Sequence, residues 1–530
     1  MSTLTGTGHL ARLILRRDRV VLPIWVLLLA VLPMSYATSF FALFPTVAER
    51  AAYATGTARN PSIVALLGPV YGDSVGALTA QRGGFLQLIV GLAALLTVIR
   101  HTRTEEEAGR RELLGATVLG RYAGLTAALL VTYAASLLLG LLAAAGLAST
   151  GLPVAGSLAY GLSGTLVGVV FATVGGLAAQ LTETAGGARG IALGALGVAF
   201  ALRLAGDTAS NDWPSWLSPL GWAPRIRAYE GERWWVLALP VALTVLLAVV
   251  AYPVSVRRDL GAGVLPSRLG PVRAGRALSG PFGLAWRLHR GQLLGWSVGF
   301  GLLGLILGGA AEAAGRSVAG NATLEQVMAR LGGASGLAEA YLGATLSVAG
   351  LAATGYGIQA ALRMRSEEAA GRVEPLLATG VPRSVWLASH LVFALVGPVV
   401  VLAVIGLATG LTYGLSVDDV PGQLPRMLGA GLAQVPAAWV LAGLAVLLHG
   451  LLPRYASTAW AVLAVVVLLG QLGAVLELNQ WLLDLSPFTH TPQVLRPGWS
   501  AVPLLTLTAL AGLLCVAGLA TFRRRDVPST

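Results

Sequence analysis

The chain has 530 residues, 55% of them hydrophobic and only 11% charged, and its mean hydropathy of +0.75 is too apolar for a water-soluble globular domain. The net charge is +12 and all 36 basic residues are Arg; they lie in short segments flanking apolar runs, which marks membrane topology and excludes a nucleic-acid-binding domain. A single cysteine, Cys515, excludes a disulfide framework, a thiolate metal cluster and a CxxC redox centre.

About 20 mostly apolar residues cross the hydrocarbon core of a bilayer, and twelve segments meet that length. In the first half they fall at about 20–44, 83–99, 122–148, 154–182, 188–206 and 235–256, and in the second at about 291–311, 340–362, 385–413, 427–449, 456–476 and 499–521. Many of the 68 glycines sit inside these runs beside Ala and Leu, where small residues let helices approach closely. The predicted fold class is all-α: a polytopic membrane protein of about twelve helices arranged as two parallel six-helix repeats. Residues 1–260 form the first half, 261–283 a cytoplasmic linker and 284–530 the second half. With the N-terminus inside, 25 arginines fall in the cytoplasm and 11 outside, as the positive-inside rule requires. The expected location is the cytoplasmic membrane, with both termini in the cytoplasm.

In chain order, the stretch 9–19 carries Arg12, Arg16, Arg17 and Arg19 ahead of the first span and suits an interfacial elbow helix with snorkelling arginines. The first span is longer than a signal-peptide core and is expected to remain uncleaved. After the second span comes the most polar segment, with Glu105, Glu106, Gly109, Arg110 and Glu112 ahead of Leu113 and Leu114. Carboxylates followed by an apolar pair suit a short helix along the membrane surface, acids toward a partner or water and leucines toward the bundle. The spans hold no acid or arginine away from their ends, Arg203 and Asp207 lying near one end, which argues against an ion relay. The segment 213–224, with Trp213, Trp216 and Trp222, fits an interfacial aromatic belt together with Trp234, Trp235 and Trp481, and Pro219 suits a broken or re-entrant helix.

These landmarks recur. Arg16, Arg19 and Trp25 match Arg287, Arg290 and Trp296, so that 280–290 predicts a second elbow; residues 105–121 match 367–383 without a gap, placing Glu367, Glu368, Gly371, Arg372 and Glu374 on the first loop. Ser218, Pro219 and Pro224 match Ser486, Pro487 and Pro492, and Arg257, Arg258 and Asp259 match Arg524, Arg525 and Asp526. Six spans per copy give both copies the same orientation, hence an expected pseudo-two-fold axis along the membrane normal. Topology requires arginines, but it does not require the order Glu-Glu-x-x-Gly-Arg-x-Glu twice, which points to docking of a cytoplasmic partner.

The sequence contains no Lys, which excludes a standard Walker A site and Schiff-base chemistry, so any ATP-driven work must be powered by another polypeptide. The best enzyme candidate, Asp418 with Asp419, has no matching His or carboxylate cluster; His449 has no second His nearby and reads as structural. The alternative is an ion-coupled secondary multidrug carrier of six plus six helices, against which stand the uncharged spans and the lack of an Asp-Arg-x-Gly-Arg loop.

Two six-helix halves, EEEAGR and EEAAGR loops, S-P-x4-P elements and an RRD exit resemble the fused permeases of the ABC type-2 exporter family, nearest the group that exports polyketide antibiotics and other drugs. The resemblance implies that Glu105, Glu106, Gly109, Arg110 and Glu112, with Glu367, Glu368, Gly371, Arg372 and Glu374, form coupling helices docking on a separately encoded ABC ATPase, two copies per chain. Ser218, Pro219, Pro224, Ser486, Pro487 and Pro492 would belong to extracellular re-entrant elements. No catalytic residue, cofactor or metal is expected in this chain, with ATP and Mg in the partner; membrane lipid and a hydrophobic or amphipathic small molecule complete the expected partners, without nucleic acid.

Overall fold

Eleven helices among the described residues of the computed structural model are long and apolar enough to cross a membrane, and no strand occurs among those residues. The chain is therefore an all-α, multi-pass membrane protein. The structure describes residues 3–110, 118–208, 211–259, 261–265, 272–273, 275, 278, 280–316, 333–472, 479–495 and 498–525. Backbone contacts divide the chain into Met1–Gly270 and Pro271–Thr530, here units 1 and 2.

Unit 1 runs through α1 (Thr7–Arg17), α2 (Val21–Leu43), α3 (Val47–Ala58), α4 (Pro61–Leu67), α5 (Val75–Arg82), α6 (Gly84–His101), α7 (Arg103–Glu107), α8 (Ala123–Ser149), α9 (Val154–Leu181), α10 (Ala185–Thr208), α11 (Trp213–Trp216), α12 (Pro219–Arg225) and α13 (Ala238–Arg257). α9 is its centre, packed on α6, α8, α10 and α13. Its most apolar window is 72% buried, against 17% for the span ending in α13, whose Val241, Val245, Leu246 and Val249 remain exposed to lipid. Lipid exerts no hydrophobic drive between helices, so close packing must hold α8 to α9. It does so at Gly140 and Gly161: a Cβ on Gly161 would stand 2.2 Å from the Gly140 carbonyl oxygen, and one on Gly140 2.3 Å from that of Gly161.

Unit 2 comprises α14 (Pro281–Arg316), α15 (Gly333–Ala361), α16 (Arg363–Ala369), α17 (Val373–Ala378), α18 (Arg383–Ser416), α19 (Val420–Leu432), α20 (Val435–Leu451), α21 (Ala459–Leu472), α22 (Gln480–Leu483) and α23 (Val502–Arg524). Five of the eleven apolar spans lie here. The segment expected at 340–362 forms α15, of 29 residues, long enough to cross but interspersed with Gly, Ser, Thr and an acid, Glu339, and it is not one of the eleven.

The elbow expectation holds in unit 1 alone. α1 packs Leu10, Ala11 and Ile14 on the bundle and ends at Asp18, whose N–H donates to the Ile14 carbonyl. Pro23, in the first turn of α2, cannot donate to a preceding carbonyl, which favours a helix start there. The matching position in unit 2 is Leu294, and α14 runs unbroken through 281–316.

Replacing Gly161 by Leu is expected to force α8 and α9 apart and cost about 1–3 kcal/mol or more, read as a lower unfolding temperature of the detergent-solubilised chain. Gly190→Ala, at a position of α10 with no atom within 4 Å of the added Cβ, is expected to be neutral or slightly stabilising.

Candidate functional site

Both repeated loops follow one structural rule. The short helices α7 and α16 are each closed by a left-handed glycine, Gly109 at φ 70° and Gly371 at φ 66°, whose N–H groups donate to the carbonyls of Glu106 (3.0 Å) and Glu368 (2.9 Å). A residue with a Cβ is strained there, so the motif requires Gly.

Past that turn the first acid of each pair is clasped by the motif's own arginine: Arg110 lies 2.9 Å from Glu105 and Arg372 2.6 Å from Glu367. Arg17 of α1 also donates to Glu105, and Arg363 to Glu367 at 2.9 Å. Burial raises the Glu367 carboxyl, but the hydrogen bond from Arg372 and the charges of Arg363 and Arg372 outweigh it, so the group lies below its ordinary 4.5.

The second acid of each pair reaches the exit of its unit's last helix. Glu106, with its side chain 3% exposed, accepts from Arg258 at 2.7 and 2.8 Å, from Arg103 at 2.9 Å and from the Gly261 N–H at 3.0 Å. Glu368 accepts from Arg525, and the ring of His449 stands 3.7 Å away, fully buried against Phe522. Arg258 and Arg525 are themselves repeat counterparts, so each unit carries the same two clasps. Glu107, which Ala369 replaces in unit 2, accepts from the Ala185 N–H at 2.8 Å and ties the first loop to the start of α10.

The paired acids therefore point into the protein rather than toward a partner, which corrects the expected direction of Glu105, Glu106, Glu367 and Glu368. What faces outward is Glu107, Ala108 and Arg110 on one loop, and Ser366, Ala369, Ala370, Arg372 and Glu374 on the other. Glu112, Leu113, Leu114 and Asp526 lie outside the described residues.

At the opposite, Trp-rich end of unit 1, Ser218 caps α12 by accepting from the N–H groups of Leu220 and Gly221 and donates to the Ala199 carbonyl at 2.6 Å; Pro219 occupies the first helical turn and Pro224 the last. Ser486 caps a 3-10 turn at Pro487–His490 in unit 2, and Pro492 lines a cavity. Asp419, half of the acidic pair considered for chemistry, is a helix cap accepting from the Gly422 N–H at 3.1 Å.

Two polar clusters carry little signal in the sequence because their members are far apart in it. Asp207 pairs with Arg203 (3.2 Å) and Arg225 (3.0 Å), and all three side chains are at most 3% exposed. His289 and His390 meet at 3.0 Å in unit 2. Only Arg203 and Asp207 have a readable spacing, four residues on one helix.

The chain is 45% identical over 527 residues, covering 99% of its length and 96% of the relative's, to the "Multidrug efflux system permease protein Rv1217c" of Mycobacterium tuberculosis. It belongs to the multidrug efflux permease family. Residues 278–523, most of unit 2, also match the family described as the C-terminal domain of the multidrug efflux system permease Rv1217c. In each unit a loop is thus tied by a Glu–Arg pair to the end of the unit's last membrane-spanning helix.

Two outcomes test the clasps. Glu106→Gln leaves Arg258 buried without its counter-charge and is expected to cost about 3–5 kcal/mol, whereas Glu374→Gln, on an exposed face, should stay within about 0.5 kcal/mol; unfolding of both variants in detergent measures the contrast. The folded carboxyl of Glu367 lies below its unfolded value of 4.5, so its stabilising contribution is complete above that value and lost as pH falls through the lower folded one. Amide exchange across 363–380 is expected to accelerate on acidification, and less so in Glu367→Gln.

Proposed function

We propose that this chain is the membrane-spanning permease of an ABC exporter, moving hydrophobic or amphipathic compounds of the drug and antibiotic class out across the cytoplasmic membrane. A separately encoded ATPase, two copies per chain, binds the loops at α7 and at α16–α17 and supplies the ATP and Mg site. The Arg-dense ends and both termini face the cytoplasm, as the arginine distribution favours.

The observation that carries this reading is the duplicated clasp. A partner that cycles must push on something stiff, and each loop is joined by a Glu–Arg pair, the buried Glu106–Arg258 or the partly buried Glu368–Arg525, to the last helix of its unit. Displacement of a loop thus moves a helix end. The absence of Lys from the sequence, and with it any Walker A motif, supports a separate source of energy, and the permease relative supports the cargo class. Because the clasped acids face inward, the docking contacts fall to the outward residues, Arg110 and Glu374 foremost.

Purified alone, the chain is expected to hydrolyse no ATP; affinity capture from its host's membranes should bring down a P-loop ATPase that has no spans of its own. Charge reversal at the exposed Glu374, Glu374→Arg, should weaken that complex at least about tenfold, some 1.4 kcal/mol, without lowering the unfolding temperature of the chain. Assembly unaffected by the reversal would overturn the docking assignment, and dye export driven by a proton gradient in vesicles without ATP would favour the secondary carrier.

A further inference from the structure

Unit 2 contains a cavity of about 450 Å3, within the roughly 300–1,000 Å3 usual for small-molecule sites. Its walls are α15 from Glu339 to Ser347, the junction between α19 and α20, and the stretch from Phe488 to Leu495.

Three independent features of that cavity point to a ligand. The first is the junction. α19 and α20 form one 32-residue span, Val420–Leu451, interrupted near its midpoint at Ala433 and Gln434. Pro436 causes the break, since it has no N–H for the Leu432 carbonyl. Irregular backbone at membrane depth is tolerated where it is buried in protein or lines a cavity, and interrupted spans are where transporters place binding sites. The second is Gln434 itself: it lines the cavity, is 6% exposed, and its Oε1 has no hydrogen-bond partner. A buried amide oxygen left unpaired costs about 1–3 kcal/mol, which a ligand donor would recover once the Gln434 side chain turns its oxygen toward the cavity. The third is charge. Glu339 lines the cavity and no arginine does; its partner Arg426, at 2.9 Å, has a side chain 42% exposed, and a bound cation would displace it from the carboxylate.

The corresponding place in unit 1 is closed. There the cavity shrinks to about 30 Å3 although it keeps the repeat counterpart of Pro492, Pro224. In the register of the adjoining loop, Ala77 stands where unit 2 has Glu339, and Gln81 where it has Gly343. Gln81 turns inward and donates to the Gly68 carbonyl at 3.2 Å, and Arg227 adds a cation to the lining. Unit 2 thus has space and an acid where unit 1 has filled the space and placed a cation, whereas unpaired amide oxygens occur in both, on Gln434 and on Gln81 and Gln87.

We propose that this cavity of unit 2 binds amphipathic organic cations, the apolar body against Phe488, Val494 and Leu495 and the ammonium group on Glu339 and Gln434. An anion would find no counter-charge on the lining. The inference rests on the drug-export reading for its cargo, but binding to the isolated chain needs no ATPase, so the two fail separately.

The test is equilibrium binding of rhodamine 6G, a fluorescent cation, and of an uncharged xanthene dye of similar size to the full chain in detergent, followed by fluorescence anisotropy. Gly343 has only Leu495 within 4 Å of an added Cβ, at 3.8 Å, so Gly343→Leu projects into the cavity and is expected to weaken both dyes at least about tenfold. Glu339→Gln should weaken the cation about tenfold while sparing the neutral dye, and Gln434→Leu should weaken the cation by a smaller factor. Unchanged affinity for the cation in Gly343→Leu, or an equal loss of both dyes in Glu339→Gln, would overturn the proposal. Should Gly343→Leu lower the unfolding temperature, the comparison of the two dyes in Glu339→Gln decides alone.

Discussion

A carboxylate withdrawn from water at the edge of a membrane bundle must find a cation, and in this chain that need organises both repeated loops. Glu106 is held by Arg258 and Arg103, and Glu368 by Arg525. The desolvation of these ions rivals their attraction, so the pairs do little for net stability, but each is costly to break by removing one member. Their effect is to make one geometry of the loop far better than its neighbours. The left-handed glycines follow from it: only a chain that reverses immediately after Glu106 or Glu368 can bring Arg110 or Arg372 back to the preceding acid.

The spans and the repeat were legible because both are carried by long stretches. Runs of twenty apolar residues survive the noise of individual positions, and four pairs of landmarks in one order are hard to mistake. The inward direction of the acids was not legible, because a Glu on a five-residue helix reads the same whether it meets water, a partner or an arginine 152 residues away. The break at Gln434 and the elbow at Asp18 each turn on one proline, Pro436 and Pro23. In a sequence with 26 prolines, several of them inside helices such as those at Pro33, Pro253 and Pro398, a single proline does not announce which helix will part.

Divergence between the copies is as informative as their likeness. The loops kept both clasps while losing Glu107 to Ala369, so the link from loop to last helix is the retained part and the tie to α10 is an accessory of unit 1. At the Trp-rich ends the units have parted further. Unit 1 buries Asp207 between Arg203 and Arg225, a charged cluster in which loss of one member would leave the others buried and uncompensated. The described residues of unit 2 carry no such network, and its polar groups there line open space.

Drug export as proposed asks for stiffness at the loops and adaptability at the unit 2 cavity, and the polar contacts at the two places differ in that sense. Glu106 accepts four hydrogen bonds from charged or backbone donors, so any movement of the loop carries the Arg258 end of α13 with it. Among the described residues Glu339 has one cationic partner, Arg426, itself half exposed, and Gln434 Oε1 has no partner. Groups left partly satisfied can exchange partners at little cost, and that is the property a site needs if it is to take many amphipathic compounds and release each of them.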